Sequence, residues 1–491
     1  MVIGGGLAGL AASVALAEAG WRVRVFEQRP FLGGRATSYV LPDGEHVDNC
    51  QHVTLGCCTN LEDFYRRAGS ADKIKFFDRL VFLDPQGRRG EIGAGFLPAP
   101  FHMTGSFATF QPVTMKDKLA IARAMFEIVR GRGHTDDLDE AGGITMAEWL
   151  RRRKQTRGAI ERFWRVVLVS ALDEELERTD ARYGVEVFWK AFLSNRQGYR
   201  MGVPIVPLAD LYAGCKEFIE RRGGEVQLRA TVRALNIVEV AEADQPEKGA
   251  NLPPATAAAS TLAGVLLDGR EEVADAYIFA LPHGALTQIL PEKIKQQYPE
   301  LKNIENIHDA PITGVHFWFD REVMREPFVT LLDTSTQWIF NKTALYGGGG
   351  KNRNCKGQYL QLVISASYDL LQKPRQEIID LCLKEVRQAL PAARSAQLMK
   401  ATVIKEAAAT FSPEPGVDRW RPAQATAVKG MFLAGDWTAT GWPSTMEGAV
   451  RSGYLAAEAV LRAEGTPRQF LQADLQRGGV VSLLGRKKSA I

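Results

Sequence analysis

The sequence predicts an α/β chain in which a parallel-sheet domain is interleaved with a second, α+β domain, and three observations predict it. A glycine-rich turn, Gly4-x-Gly6-x-x-Gly9, joins the first strand to the first helix. The next strand ends on an acidic residue, Glu27. A matching buried-strand pattern, Met431 to Asp436, arrives only near the other end of the chain and leads into a helix. With 491 residues the chain is about three times the common single-domain size, so two domains and a core deep enough for a large ligand are expected.

Met1-Val2-Ile3 forms the first strand, shorter than the usual run of about five or six residues, which leaves room for a start upstream of Met1. Leu7, Leu10, Ala11 and Val14 then keep the spacing of one helix face. Gly4 allows the tight turn, Gly6 lets the backbone approach a pyrophosphate, and Gly9 lets helix and strand pack closely, so an anion would meet unpaired amides at the helix N-terminus. The strand Trp21 to Phe26 ends at Glu27, where a carboxylate can accept hydrogen bonds from ribose hydroxyls and disfavours a 2′-phosphate. Strand, glycines, helix, strand and acid in this order make a Rossmann-like dinucleotide site; a plain turn would leave Glu27 unexplained.

Residues 76–200 mix long helical patterns with aromatic-rich loops. The densest is Phe96-Leu97-Pro98-Ala99-Pro100-Phe101-His102-Met103 with Phe107 and Phe110, which reads as a channel wall or entrance, or as plain core. Residues 205–285 return to helix and short strands, and the stretch Gln245 to Thr261, rich in Pro and Ala, reads as a mobile excursion between two of them. The β-rich run Thr313 to Phe319 and a helix over Arg375 to Leu390 precede the C-terminal strand, loop and helix of Met431 to Arg462. The expected division gives residues 1–75, 200–285 and 425–465 to the dinucleotide-binding domain and residues 76–199 and 286–424 to a substrate-binding domain, with 466–491 as a tail.

Composition narrows the function classes. Hydrophobic residues make up 45% and charged residues 24%, and no run of eighteen uncharged apolar residues offers a membrane span. A net charge of +4 in mixed-sign segments gives no nucleic-acid groove, although Arg486-Lys487-Lys488 form a small basic cluster. Six cysteines without a Cys-x-x-Cys pair read as reduced thiols, with Cys57 and Cys58 as apolar packing residues, and no metal site is expected. The N-terminus lacks the features of a secretory signal, so synthesis in the cytoplasm without export is expected.

After Glu27 come Gln28-Arg29-Pro30-Phe31-Leu32-Gly33-Gly34-Arg35. A Gly-Gly-Arg at this place resembles the flavin-containing amine oxidase and phytoene desaturase superfamily, where these residues lie against the phosphates of FAD. Gly435-Asp436 and the segment Trp437 to Gly448 resemble the flavin-side motif of the same superfamily. There the aspartate contacts ribityl or pyrophosphate, and the following helix aims its N-terminus, worth about half a positive charge, at the isoalloxazine. Thr231-Val232 and Tyr277 to Pro282 match positions where backbone approaches the adenine, though ordinary core strands would look alike. The resemblance therefore implies a Rossmann-like FAD-binding domain. Its candidate contacts are Gly4, Gly6, Leu7, Ala8, Gly9, Glu27, Gln28, Gly33, Gly34, Arg35, Val232, Gly435, Asp436, Thr445, Met446 and Ala449.

Within that superfamily the chain is similar to the hydroxysqualene dehydroxylases of hopanoid and squalene biosynthesis, over nearly its whole length. The likeness rests on Asp48-Asn49-Cys50-Gln51-His52, on Leu55 to Asn60 and on Gly441 to Gly453; many relatives carry glycine where this chain has Cys50. It implies loss of an allylic hydroxyl from hydroxysqualene and delivery of hydride to the same carbon, from an unidentified electron donor by way of the flavin. The chain must then provide an acid, a dry channel and orientation. His52 is the expected acid and Asp48 its orienting partner, although each would serve equally as a brace for its loop.

An isoprenoid substrate is nearly insoluble, so contact with a membrane is expected. Phe470, Leu471, Leu475, Val480, Val481, Leu483 and Leu484 before the basic cluster suit an anionic lipid surface, together with the aromatic loop. The competing expectation for this tail is a solvated, disordered terminus. The expected location is cytoplasmic, peripheral on the inner face of the cytoplasmic membrane. Two alternatives share the same glycines: a carotenoid-type desaturase or amine oxidase with reversed electron flow, and a non-enzymatic prenyl-binding carrier like the Rab-escort and dissociation-inhibitor proteins, against which the intact Glu27, Gly33-Gly34-Arg35 and Asp436 argue.

Overall fold

The computed structural model describes residues 1–240, 259–347 and 357–484. Of the Pro- and Ala-rich stretch only 259–261 is described, as strand, and Arg486-Lys487-Lys488 lie outside the described residues.

Five strands form one parallel sheet in the order Glu225–Leu228, Arg24–Glu27, Val2–Ile3, Tyr277–Phe279, Met431–Leu433. The two-residue first strand sits at its centre, paired on one side with Val25 and Phe26 and on the other with Ile278 and Phe279. Being flanked on both sides, it needs apolar residues on both faces, and Val2 and Ile3 are both buried. The helix Leu7–Glu18 is buried on nearly its whole circumference, because the helix Met446–Ala463 packs closely against it. A β-carbon on Gly453 would stand 2.2 Å from the Ala8 carbonyl oxygen, so the two helices meet backbone to backbone.

The second layer system is a seven-stranded mixed sheet in the order Leu398–Phe411, Asp309–Phe319, Gln358–Ser365, Trp338–Asn341, Phe328–Leu331, Arg79–Leu83, Arg89–Gly93. The helix Arg375–Ala389 closes one face with Ile378, Cys382 and Val386. A three-stranded sheet, Val232–Val240 with Ala259–Leu267 and Arg270–Glu272, two smaller sheets and a helical layer spanning Met115 to Leu193 flank these two.

The tail departs from the disordered form expected of it. Residues 466–484 run along the surface and bind it: Gln472 N donates to Asn60 Oδ1 at 2.8 Å, Arg451 pairs with Asp474 at 2.9 Å, and Gly478 N donates to the Ser194 carbonyl at 2.8 Å. Phe470 and Val481 are each 1% exposed, so these apolar side chains are spent on the protein and are not offered to lipid. Among the described residues no helix is long and apolar enough to cross a membrane.

Candidate functional site

One cavity of about 630 Å³ runs between the two sheets and is walled by segments from both ends of the chain. At its phosphate end Gly4, with φ +109°, turns the chain so tightly that a β-carbon would fall 2.4 Å from the Ala280 carbonyl oxygen. The helix N-cap is Gly6, which offers no side chain to the first-turn amides, so these remain available to an anion. Gly33 N donates to Gly5 O at 2.9 Å and Gly33 bridges Gly6, which fixes the second glycine pair beside the first. Glu27 receives Gly5 N and Arg29 N, each at 2.7 Å, on separate oxygens. A carboxylate has about four acceptor positions, so a ribose hydroxyl still has a place.

The far end of the chain joins here. Arg35 Nη2 donates to Asp436 Oδ1 at 2.7 Å, Arg35 Nη1 donates to the Ala409 carbonyl at 2.7 Å, and Ser444 donates to Asp436 Oδ2. Burial pushes the Asp436 carboxyl up, but the Arg35 guanidinium and the Ser444 hydroxyl win and hold it below the usual carboxylate range. Thr445 caps the helix Met446–Ala463 by accepting from Gly448 N at 3.0 Å, and that helix presents its N-terminus at the cavity through Met446 and Ala449. Beneath this turn the buried Arg421 donates to the carbonyls of Asp436, Thr438 and Trp442.

Of the cofactor contacts expected from sequence, Gly4, Gly6, Leu7, Ala8, Glu27, Gln28, Gly33, Gly34, Arg35, Val232, Gly435, Asp436, Thr445, Met446 and Ala449 all line this cavity. Gly9 does not. A β-carbon there would fall 1.9 Å from Gly4 O, so it serves the turn by letting the helix approach it.

The opposite end corrects the catalytic pair. Asp48 neither lines the cavity nor touches His52; its carboxylate accepts from Ser38 at 2.7 Å, Leu208 N at 3.1 Å, Lys342 Nζ at 2.7 Å and Tyr346 at 2.9 Å. All four positions are filled, with the Asp48 and Lys342 side chains 1% and 0% exposed, so Asp48 is a buried structural ion-pair partner. His52 does line the cavity, with Nδ1 3.0 Å from the Cys50 carbonyl oxygen. That oxygen can only accept, so Nδ1 carries the hydrogen. Burial pushes the imidazole below its ordinary value, so it is neutral at neutral pH and its Nε2 is a proton acceptor, the reverse of the expected acid.

A carboxyl that sequence reasoning missed lies in the same wall. Asp173 ends the helix Arg165–Leu172 with φ +55°, a left-handed conformation that costs a non-glycine residue about 1 kcal/mol. The turn aims its side chain at the strand ends, where Ala366 N donates to Oδ1 and Thr410 Oγ1 to Oδ2, both at 2.8 Å. No cation pairs with it in these contacts, and burial pushes its carboxyl well above the usual carboxylate range against the pull of those two hydrogen bonds, which favours the protonated form. Among the described residues no group of three or more His, Cys, Asp or Glu could hold a metal ion.

The cavity fits FAD on its own evidence: open helix-end amides for the pyrophosphate, an acid with spare acceptor capacity for the ribose, and a second helix N-terminus across from it. Comparison with known proteins agrees. The model of the family described as flavin containing amine oxidoreductase matches residues 7–461. A zeta-carotene desaturase of Synechocystis sp. is 29% identical over 489 residues, covering 94% of this chain and 96% of that protein. A 15-cis-phytoene desaturase of Solanum lycopersicum is 25% identical over 491 residues, covering 94% of this chain and 77% of that protein. Among solved structures, a cyclohexylamine oxidase from Brevibacterium oxydans superposes with a TM-score of 0.65 at 16% identity, covering 94% of this chain and 98% of that one, which speaks to the fold.

Proposed function

The chain belongs to the flavin containing amine oxidoreductase family and is an FAD-dependent oxidoreductase, and from that premise we propose that its substrate is a long apolar isoprenoid, as for the phytoene and zeta-carotene desaturases. The carrying observation is the cavity's second end. Around His52 and Asp173 its walls include Val53, Ala171 and Ile312, interspersed with polar groups such as Gln51, Ser170 and Thr410. A wall in which apolar side chains alternate with a base and a buried carboxyl suits a hydrocarbon positioned for reaction at one place. FAD, when bound, supplies hydride transfer.

The chain's own residues serve two directions of that chemistry. In desaturation one carbon gives up hydride and its neighbour a proton, and the electron pair left behind becomes the new double bond. The neutral His52, with Nε2 unprotonated, is the group that accepts the proton. The likeness to desaturases over 94% of the chain supports this reading.

A second reading, reductive dehydroxylation of hydroxysqualene, is favoured by Asp173. There an allylic C–O bond breaks as the hydroxyl receives a proton and leaves as water, and hydride fills the same carbon. A carboxyl whose burial in the cavity wall favours its protonated form is the donor this step needs. Such substrates reside in membranes, so turnover takes place at a membrane surface.

Anaerobic turnover separates the readings. The oxidised flavoprotein is given phytoene or zeta-carotene with a quinone acceptor, and the dithionite-reduced flavoprotein is given hydroxysqualene, with products resolved by chromatography. A new conjugated double bond supports desaturation and squalene supports dehydroxylation. No turnover of either substrate class by a protein with a full flavin spectrum would overturn the isoprenoid assignment.

A further inference from the structure

We infer that the outer face of the helix Met115–Arg130, together with the loop bearing Phe96 and Phe101, docks the enzyme on an anionic lipid bilayer. The inference rests on the isoprenoid reading for its purpose, but its evidence is separate. Eleven large hydrophobic side chains are exposed among the described residues, and six of them lie between Phe96 and Phe126. Phe96 is 90% exposed, and Met115, Leu119 and Phe126 are each about two-thirds exposed, at 67%, 66% and 67%. A soluble surface scatters such residues singly, so this clustering requires a partner.

Helix geometry makes the patch one surface. At about 100° per residue, positions 115, 119 and 126 fall within an arc of about 40°. The opposite face carries Ile121, Ala124 and Ile128, all buried in the protein. The helix is therefore apolar on two sides, and its own fold uses only one. A capping box in which Thr114 and Asp117 bond each other's backbone fixes where the helix starts, and so which residues face out.

The loop leads into the helix Thr104–Thr109, which is tied to this one. Ala99 shares a buried cluster with Ile121, Ile128 and Val481, and Lys118 Nζ donates to the Ala108 carbonyl at 2.6 Å.

Charge selects the partner. Lys116, Arg123 and Arg130 are exposed down one flank of the apolar arc and Lys118 lies along the other, while Glu127, the acid in that stretch nearest the arc, is paired with Arg153. An apolar strip with a row of cations along one flank and a further lysine on the other is the pattern of a helix lying in the plane of an anionic membrane. A second copy of the chain would bring the same cations face to face.

The patch also leads inward. Phe107 stacks edge-on against Phe163 with centroids 5.5 Å apart, and the helix Arg165–Leu172 that follows carries Ser170 and Ala171 to the cavity wall. The attachment point expected in the tail is thereby relocated to a helix that the tail itself packs against, through Arg132 and Ser482 at 2.9 Å.

Flotation of the flavoprotein with phosphatidylcholine vesicles, with and without phosphatidylglycerol, tests this. The variant Phe96→Asp/Leu119→Glu/Phe126→Glu alters only exposed positions, and Met399→Glu, at 62% exposure elsewhere, is the control. The wild type and Met399→Glu should float with the anionic vesicles. The triple variant should lose about tenfold in bound fraction with an unchanged flavin spectrum. Equal flotation of the triple variant, absent wild-type binding, or a wild-type dimer that the triple variant abolishes would each overturn the proposal. Flotation is read without substrate, so isoprenoid turnover can fail while docking stands, and the reverse.

Discussion

The two ends of the cavity are built by different means. At the phosphate end the recognising groups are backbone: glycine turns, helix-end amides and one carboxylate already braced by two of them. At the substrate end they are side chains delivered from segments far apart in sequence, His52, Asp173 and Thr410, held in place by buried polar contacts behind them. Backbone sites depend on close approach and fail by steric exclusion. Side-chain sites depend on compensated burial and fail when a partner is removed.

The largest expected effect tests the second half of that comparison away from the cavity itself. Lys342→Met leaves the Asp48 carboxylate buried with one fewer partner and no counter-charge, and should cost about 3–5 kcal/mol in unfolding free energy near neutral pH. The penalty should depend on pH with a definite sign. Without Lys342 the folded-state pKa of Asp48 rises above its ordinary 3.8, so stability is restored below about that pH and lost as pH rises through the folded value. Denaturant titrations of both proteins across acid and neutral pH check it, and a pH-independent difference would show that Asp48 is not the group left charged.

Next in size is a test of the backbone end. Gly9→Ala puts a methyl group where only 1.9 Å separates it from Gly4 O, and Ala280 Cβ at 3.1 Å blocks retreat. Turn and helix must part, at a cost of about 1–3 kcal/mol, and the amide cradle is lost with them. Flavin retention after gel filtration should fall sharply although Gly9 does not line the cavity. Retention equal to wild type would mean that the approach of helix to turn is not what shapes the site.

This contrast also explains what the sequence made legible. The phosphate end could be read because its chemistry demands glycine at fixed spacing, and such a demand leaves a mark in one dimension. Glu27 could be read because it ends a strand whose register the first turn sets. Asp436 was located by its Gly-Asp strand end, while its pairing with Arg35 exists only in three dimensions. Asp173 precedes Glu174 and Glu175, and such a run of acids reads as a solvated turn; only the tertiary fold shows that Asp173 and Glu174 are buried. Lys342 and Arg421 are likewise ordinary charged residues until packing removes their water. The tail is ambiguous for a related reason, since apolar residues near a chain end have the same pattern whether they face lipid or, as Phe470 and Val481 do, the protein's own surface.

The smallest effect in free energy is the most informative about chemistry. Asp173→Asn keeps shape and keeps an oxygen to accept from Ala366 N, but it cannot release a proton. Folding should change by less than about 1 kcal/mol near neutral pH, and flavin content should be unaltered. The folded-state carboxyl lies well above its ordinary range, so the wild type's stability from this group is full below the unfolded value and lost as pH rises through the folded one; the amide removes that dependence. If the carboxyl is the proton donor, single-turnover consumption of an allylic alcohol should fall about a hundredfold, equivalent to about 2.7 kcal/mol, and the loss of activity at alkaline pH should vanish with it. Desaturation, which draws on His52 as acceptor, should change little. A variant that slows neither reaction would make Asp173 a helix-ending residue with an unusual environment and no part in the chemistry.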